Sequence, residues 1–261
     1  MSAYFDDRGS IFSKIDEYGI ASITFYHPSH NSFPRKQLEQ LANKIRDTGS
    51  RKEVKVILLK SAGESSFCAG ASFDELLTVE TREAGKHFFS GFALVLNAIR
   101  LCDKIVVGQV QGKAIGGGMG LAATFDYCFA SKNASVRLSE LGVNMGPFVI
   151  APAVERKIGL AAFTKLTLNP SLYKDAKWAK KHGLFQEVYA DLESMEKAAH
   201  EFCKQLASYS SDALTNIKKM LWHNTAHWDE LLFERADISG KLVLSDETKL
   251  SLQAFKNRTR K

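Results

Sequence analysis

The chain has 261 residues, of which 45% are hydrophobic and 25% charged, with a formal net charge of +6. That length and apolar content suit one large globular domain, or a domain with an appendage, and exclude a fibrous or disordered chain. No run approaches the about 18 apolar residues of a membrane span, and the positive charge favours anionic partners, phosphorylated cofactors or nucleic acid, without choosing between them.

The segment Met1 to Gly19 carries Asp6, Asp7, Asp16 and Glu17 and no unbroken apolar stretch, so no secretory or transit signal is expected there. Ile11 to Ile15 and Ile20 to Phe25 are rich in β-branched and aromatic residues and flank Asp16-Glu17-Tyr18-Gly19, which predicts a strand pair. Pro34 opens a segment with Leu38, Leu41, Ala42 and Ile45 at helical spacing, closed by Gly49, and Val54 to Leu59 reads as a buried strand. Strand, helix, strand in that order implies a parallel crossover.

The same order recurs. Thr81 to Cys102 is a long amphipathic helix with Phe88, Phe92, Val95, Leu96 and Ile99 on one face, and Ile105 to Val110 is the next strand. A glycine turn and a short helix from about Gly117 to Thr124 lead into a strand at Tyr127 to Ala130. Repeated units of this kind give an α/β class with a helix-covered sheet. From Asp191 onward strand signals cease, and helical stripes run through Met195, Ala198, Ala199, Phe202 and Leu206, then Trp228, Leu231, Leu232 and Ala236. The expected division is a core over 1–190 and a helical region over 191–261 that packs on the core or on a neighbouring subunit.

Cys68, Cys102, Cys128 and Cys203 stand singly, with no C-x-x-C pair and no histidine at metal-ligand spacing, as reduced thiols of a cytoplasmic protein without a metal site would. Gly116-Gly117-Gly118 lies between a strand and a short helix, where missing Cβ atoms let a ligand approach free helix N-terminal N–H groups. It lacks the Lys-Ser/Thr of a P-loop and the G-x-G-x-x-G spacing of a dinucleotide site, and on its own such a triplet is more often a tight turn. Ser65 to Ala71 holds the same topological place after the strand Val54 to Leu59, so two strand ends present backbone amides together. Cys68 has no evident partner base and reads as a small buried thiol. Glu140 follows a predicted strand at Ala134 to Arg137 and is either a general acid or base among apolar neighbours or a helix-start residue capped by Ser139. His27 and His30 flank Pro28 in a polar turn.

Taken together, Phe67-Cys68-Ala69-Gly70-Ala71-Ser72, then Gln111 to Gly118, then Ser139-Glu140 resemble the motifs of the enoyl-CoA hydratase/isomerase (crotonase) family. Further matches lie at Pro28 to Asn31, Asp126-Tyr127, Lys157-Ile158-Gly159, Asp175-Ala176, Lys181 to Leu184 and Phe255-Lys256, so the resemblance covers roughly residues 10 to 258. It implies an α/β fold, a crotonase-like right-handed spiral of strand-helix units with a C-terminal helical region, assembled as a homotrimer or hexamer. It implies an acyl-CoA substrate, with coenzyme A as part of that substrate and no separate cofactor. In such enzymes the thioester carbonyl accepts two backbone N–H bonds, here from Ala71 and Gly117, and a glutamate, here Glu140, transfers the proton.

The resemblance also assigns substrate contacts to Cys68, Ala69, Gly70, Ser72, Phe73, Asp74 and Gly116, and CoA phosphate contact to Lys256. Two positions depart from the pattern. Typical hydratases carry a second glutamate where this chain has Gly120, which leaves hydration and double-bond isomerisation both open, and Ser72 stands where relatives carry aspartate. A family scaffold turned to RNA or partner binding is the alternative. The retained Glu140 and the two intact turns argue against it, so no nucleic-acid partner is expected.

Overall fold

The structure is a computed structural model that describes residues 8–259. The sequence-predicted acidic residues Asp6 and Asp7 lie outside that range. The chain opens with β1 (Ser10–Ile15) and β2 (Ile20–Tyr26), paired antiparallel, then α1 (Arg35–Gly49) and β3 (Val56–Ser61). Two short elements follow, β4 (Ser66–Cys68) and α2 (Phe73–Leu76), and the long α3 (Arg82–Leu101), then β5 (Ile105–Val110), β6 (Lys113–Ile115), α4 (Gly117–Ala123), β7 (Tyr127–Ser131) and β8 (Ser135–Arg137). A 3-10 turn at Glu140–Val143 precedes α5 (Ala151–Ile158), α6 (Leu160–Thr167), β9 (Lys174–Asp175), α7 (Ala176–Lys181) and β10 (Glu187–Tyr189). The rest is helical: α8 (Leu192–Ala207), α9 (Ser211–Leu221), α10 (Trp228–Leu242) and α11 (Asp246–Thr259).

Two sheets result. The larger has the order β1-β2-β3-β5-β7-β10, parallel throughout except for the opening pair. The smaller has the order β4-β6-β8-β9, with β4, β6 and β8 parallel. This is the expected α/β class, with C-terminal helices.

Alternation along the strands explains why both faces of the large sheet are covered. Ile57 and Leu59 of β3 and Val106 and Val110 of β5 join one core with α1 and α3, through Leu38, Leu41, Ile45, Phe92, Val95, Leu96 and Ile99. Val56, Leu58, Ile105 and Val107 point the other way, onto Met195, Ala199 and Cys203 of α8. Strands buried on both sides carry unbroken apolar runs, which is why Val56–Ser61 and Ile105–Val110 are readable. The observed β3 starts two residues later than the sequence suggested, because Val54 donates its N–H to Arg51 O in a turn.

Several helices begin where polar side chains take up free N–H groups. Thr81 Oγ1 accepts from Ala84 N at 3.1 Å ahead of α3, and Asp191 Oδ1 accepts from Ser194 N at 2.8 Å ahead of α8. A buried ion pair ties α9 to the core: Lys218 Nζ lies 2.5 Å from Asp126 Oδ2, both side chains 2% exposed, and Asp126 also accepts from Trp222 Nε1 and Val106 N, each at 2.7 Å. No helix among the described residues is long and apolar enough to cross a membrane.

Candidate active site

The small sheet sets the site. In its register Cys68 pairs with Ala114, Ala114 with Val136, and Ile115 with Arg137, so β4, β6 and β8 end side by side. The three loops that leave those ends, 69–72, 116–118 and 138–140, therefore emerge together. Sequence reasoning had joined two of them by way of the strand Val54 to Leu59. Their true carriers are β4 and β6, three residues each and too short to show periodicity.

The first loop is pinned by Phe33. Phe33 N donates to Gly70 O at 2.8 Å and Ser72 N donates to Phe33 O at 2.7 Å, an isolated parallel bridge around Ala71. Extended backbone alternates the direction of its polar groups, so with Gly70 O and Ser72 N turned toward Phe33, Ala71 N is turned away. Gly70 N donates to Cys68 Sγ at 3.3 Å. Among the described residues, Ala71 N alone of these amides has no acceptor in the protein.

The second loop is held by Gly116 N donating to Arg137 O at 2.9 Å. Gly116 has φ 52° and ψ −120°, a region closed to L side chains, and any Cβ there would fall 2.8 Å from Glu140 Oε1. Gly118 is pressed onto the end of β4, since a Cβ on it would meet Cys68 O at 2.2 Å. Gly117 N, at the first position of α4, has no acceptor among the described residues, and a Cβ on Gly70 would lie 3.4 Å from it. Two unengaged N–H groups thus sit on two turns in contact, the arrangement suited to a carbonyl oxygen that gains charge. The Phe92 ring closes on Gly117 from α3.

The third loop brings Glu140. The residue is half-buried, yet its Oε2 is sealed from solvent and has no hydrogen-bond partner among the described residues. Burial raises its carboxyl to about 7, against the opposing pull of the backbone N–H groups of Glu140 and Ser139 and the Arg137 charge. A carboxyl poised there holds and releases a proton near neutral pH. Ser139 occupies the cap position of the 3-10 turn, but its side chain makes no capping bond. Arg137 stacks its guanidinium 4.6 Å from the Tyr173 ring centre.

Other expected contacts fall around this centre. Cys68 is fully buried and its thiol is pushed up to about 12, which makes it a packing residue. Ser72 caps α2, its Oγ accepting from Glu75 N at 3.3 Å, a bond an aspartate would also make. Glu75 Oε2 accepts from Arg35 N at 2.6 Å, at the start of α1. Asp74 lies near enough to His27 to raise its pKa, against a larger lowering by burial. The Phe73 and Phe255 rings are 5.0 Å apart, which holds α11 against α2, and the half-buried Lys256 is the next residue of α11. Ile150 belongs to the segment 146–150 that the sequence places along the pocket, but its packing on Gly120 was not foreseen. No group of three or more metal-ligating side chains occurs among the described residues.

Comparison with known proteins agrees in extent with this geometry. The family model for enoyl-CoA hydratase/isomerase matches residues 16–261. A short-chain-enoyl-CoA hydratase of Clostridium acetobutylicum is 27% identical over 239 residues, covering 90% of each chain. Among solved structures, an enoyl-CoA hydratase from Bacillus halodurans superposes with a TM-score of 0.86 at 19% identity, over 94% of this chain and 99% of that one. Human mitochondrial delta3-delta2-enoyl-CoA isomerase does so with a TM-score of 0.85 at 20% identity, over 96% and 98%.

Proposed function

Since the chain belongs to the enoyl-CoA hydratase/isomerase family, we propose that it binds an enoyl-CoA thioester and uses Glu140 to move a proton on its acyl chain. The thioester oxygen accepts hydrogen bonds from Ala71 N and Gly117 N, and the charge that develops when a proton leaves C2 rests on that oxygen. Each such donor contributes about 2.7–4 kcal/mol of transition-state stabilisation. In a double-bond shift Glu140 takes the C2 proton and returns it to C4; in hydration water adds its OH to C3 and Glu140 relays the water's proton to C2. The observation that carries this reading is the Glu140 carboxylate, its Oε2 sealed and without a hydrogen-bond partner and its Oε1 against Gly116, beside two N–H groups without acceptors.

The remaining contacts follow the same reading. Cys68 to Gly70 and Gly116 shape the turn walls, Ser72 to Asp74 border the pantetheine and adenine, and Lys256 meets a CoA phosphate. No cofactor is needed beyond the coenzyme A of the substrate. Exposed Leu160, Leu168, Met220 and Leu250 support self-association as a homotrimer or a hexamer. Four buried free thiols support a reducing compartment, the cytoplasm.

The test is a panel of 2-enoyl- and 3-enoyl-CoA thioesters incubated with the protein in heavy water. Deuterium in the acyl chain, with or without the mass of added water, is expected for at least one of them. Absence of exchange across the panel would refute the proposal.

A further inference from the structure

Helix α4 offers one further position beside Glu140, and that position is closed. Gly120 follows Gly116 by four residues and donates its N–H to Gly116 O at 3.1 Å, so the two stand one above the other. Gly116 is the residue that caps α4, and one helical turn rises only about 5.4 Å. A group carried by position 120 would therefore stand next to the Glu140 carboxylate that lies against Gly116. A Cβ at 120, however, would fall 2.3 Å from Ile150 Cγ2 and 2.5 Å from Ile150 Cβ. The second contact decides the outcome, because Cβ is fixed by the backbone and no rotamer moves it. Ile150 is 3% exposed and shares the core with Met119, Leu121, Val149 and Ala153, at the start of α5.

We propose that Ile150 is the specificity-determining residue of this site: it fills the place a second carboxylate would take and confines Glu140 to shifting a double bond. This rests on the acyl-CoA reading above. Adding water across C2=C3 places OH on C3 and H on C2, and the attacking water must be held and deprotonated while C2 is protonated. A held water needs 2–4 polar partners, about three on average, and the Ile150 side chain provides none where a second carboxylate would. The double-bond shift needs no water. Glu140 takes a proton from C2 of a 3-enoyl thioester, the C2–H pair becomes the C1=C2 bond of a dienolate, and the charge rests on the thioester oxygen. That pair then forms C2=C3 as the C3=C4 pair takes the proton at C4, and Glu140 is again a carboxylate.

Two measurements test this, with hex-3-enoyl-CoA and hex-2-enoyl-CoA as probes. Thermal unfolding of Gly120→Ala should show a Tm lowered by about 4–10 °C with Ile150 present, and by less than half as much in an Ile150→Gly background. Equal losses in the two backgrounds would overturn the steric claim. The Gly120→Glu/Ile150→Gly double variant should raise the ratio of 3-hydroxyhexanoyl-CoA to isomerised product by about tenfold or more over the wild type, a modest share of what an added acid-base group supplies. A folded double variant with an unchanged ratio overturns the proposal, as does a Gly120→Glu variant that is as stable as the wild type and hydrates as fast as the double variant. A wild type that turns over neither thioester, with no deuterium exchange, overturns the acyl-CoA reading itself.

Discussion

Replacing Glu140 with glutamine should change how stability depends on pH, because a carboxyl raised from 4.5 to about 7 by burial burdens the folded state whenever it is ionised. The folded protein then binds more protons than the unfolded chain between those two values, so the Glu140 contribution is most favourable below about 4.5 and is lost as pH rises toward 7. The difference in pKa corresponds to about 3 kcal/mol once both states are ionised, at about 1.4 kcal/mol per unit. Glutamine occupies the same volume and does not titrate. Urea unfolding of both proteins at several pH values between 4.5 and 8 measures the gap, provided each remains two-state. Relative to its glutamine variant, the wild type should lose stability steadily across that range, by up to about 3 kcal/mol. Parallel stability curves for the two proteins would refute the claim that Glu140 ionises in a sealed environment.

Two further outcomes follow from buried groups elsewhere. Lys218→Met removes the cation that pairs with Asp126 in the core and should cost about 3–5 kcal/mol, with a Lys218→Met/Asp126→Asn double variant recovering part of it in urea titrations. The thiols of Cys68, Cys128 and Cys203 are all raised to about 12 by burial, so a thiolate-specific reagent should leave them unmodified in the native protein at pH 8 and label all four cysteines in urea. Rapid native labelling of Cys68 would contradict the packing assigned to it.

Much of the layout could be read from local pattern. The apolar face of α3, and the runs of β3 and β5 buried on both sides, follow from hydrophobic spacing. The small sheet could not be read in this way, because β4 and β6 are three residues long and owe their pairing to contacts far apart in sequence. Candidate site residues showed through where the backbone demanded a residue type, as at Gly116, whose φ and proximity to Glu140 admit only glycine. The seat of Glu140 was visible only through its family position, since Ser139 caps nothing and the raised pKa arises from burial by distant segments. The role of Ile150 could not be read from its own neighbourhood. Its effect lies in a contact across 30 positions, with Gly120 the visible half of the pair.

The measurement that bears most directly on the central claim is turnover and acyl-CoA affinity of Glu140→Gln on whichever enoyl-CoA the wild type processes. The account predicts a Kd within a few-fold of the wild type and kcat lower by about 10² or more, the scale of a lost general acid-base group. Unchanged turnover in the glutamine variant would contradict it.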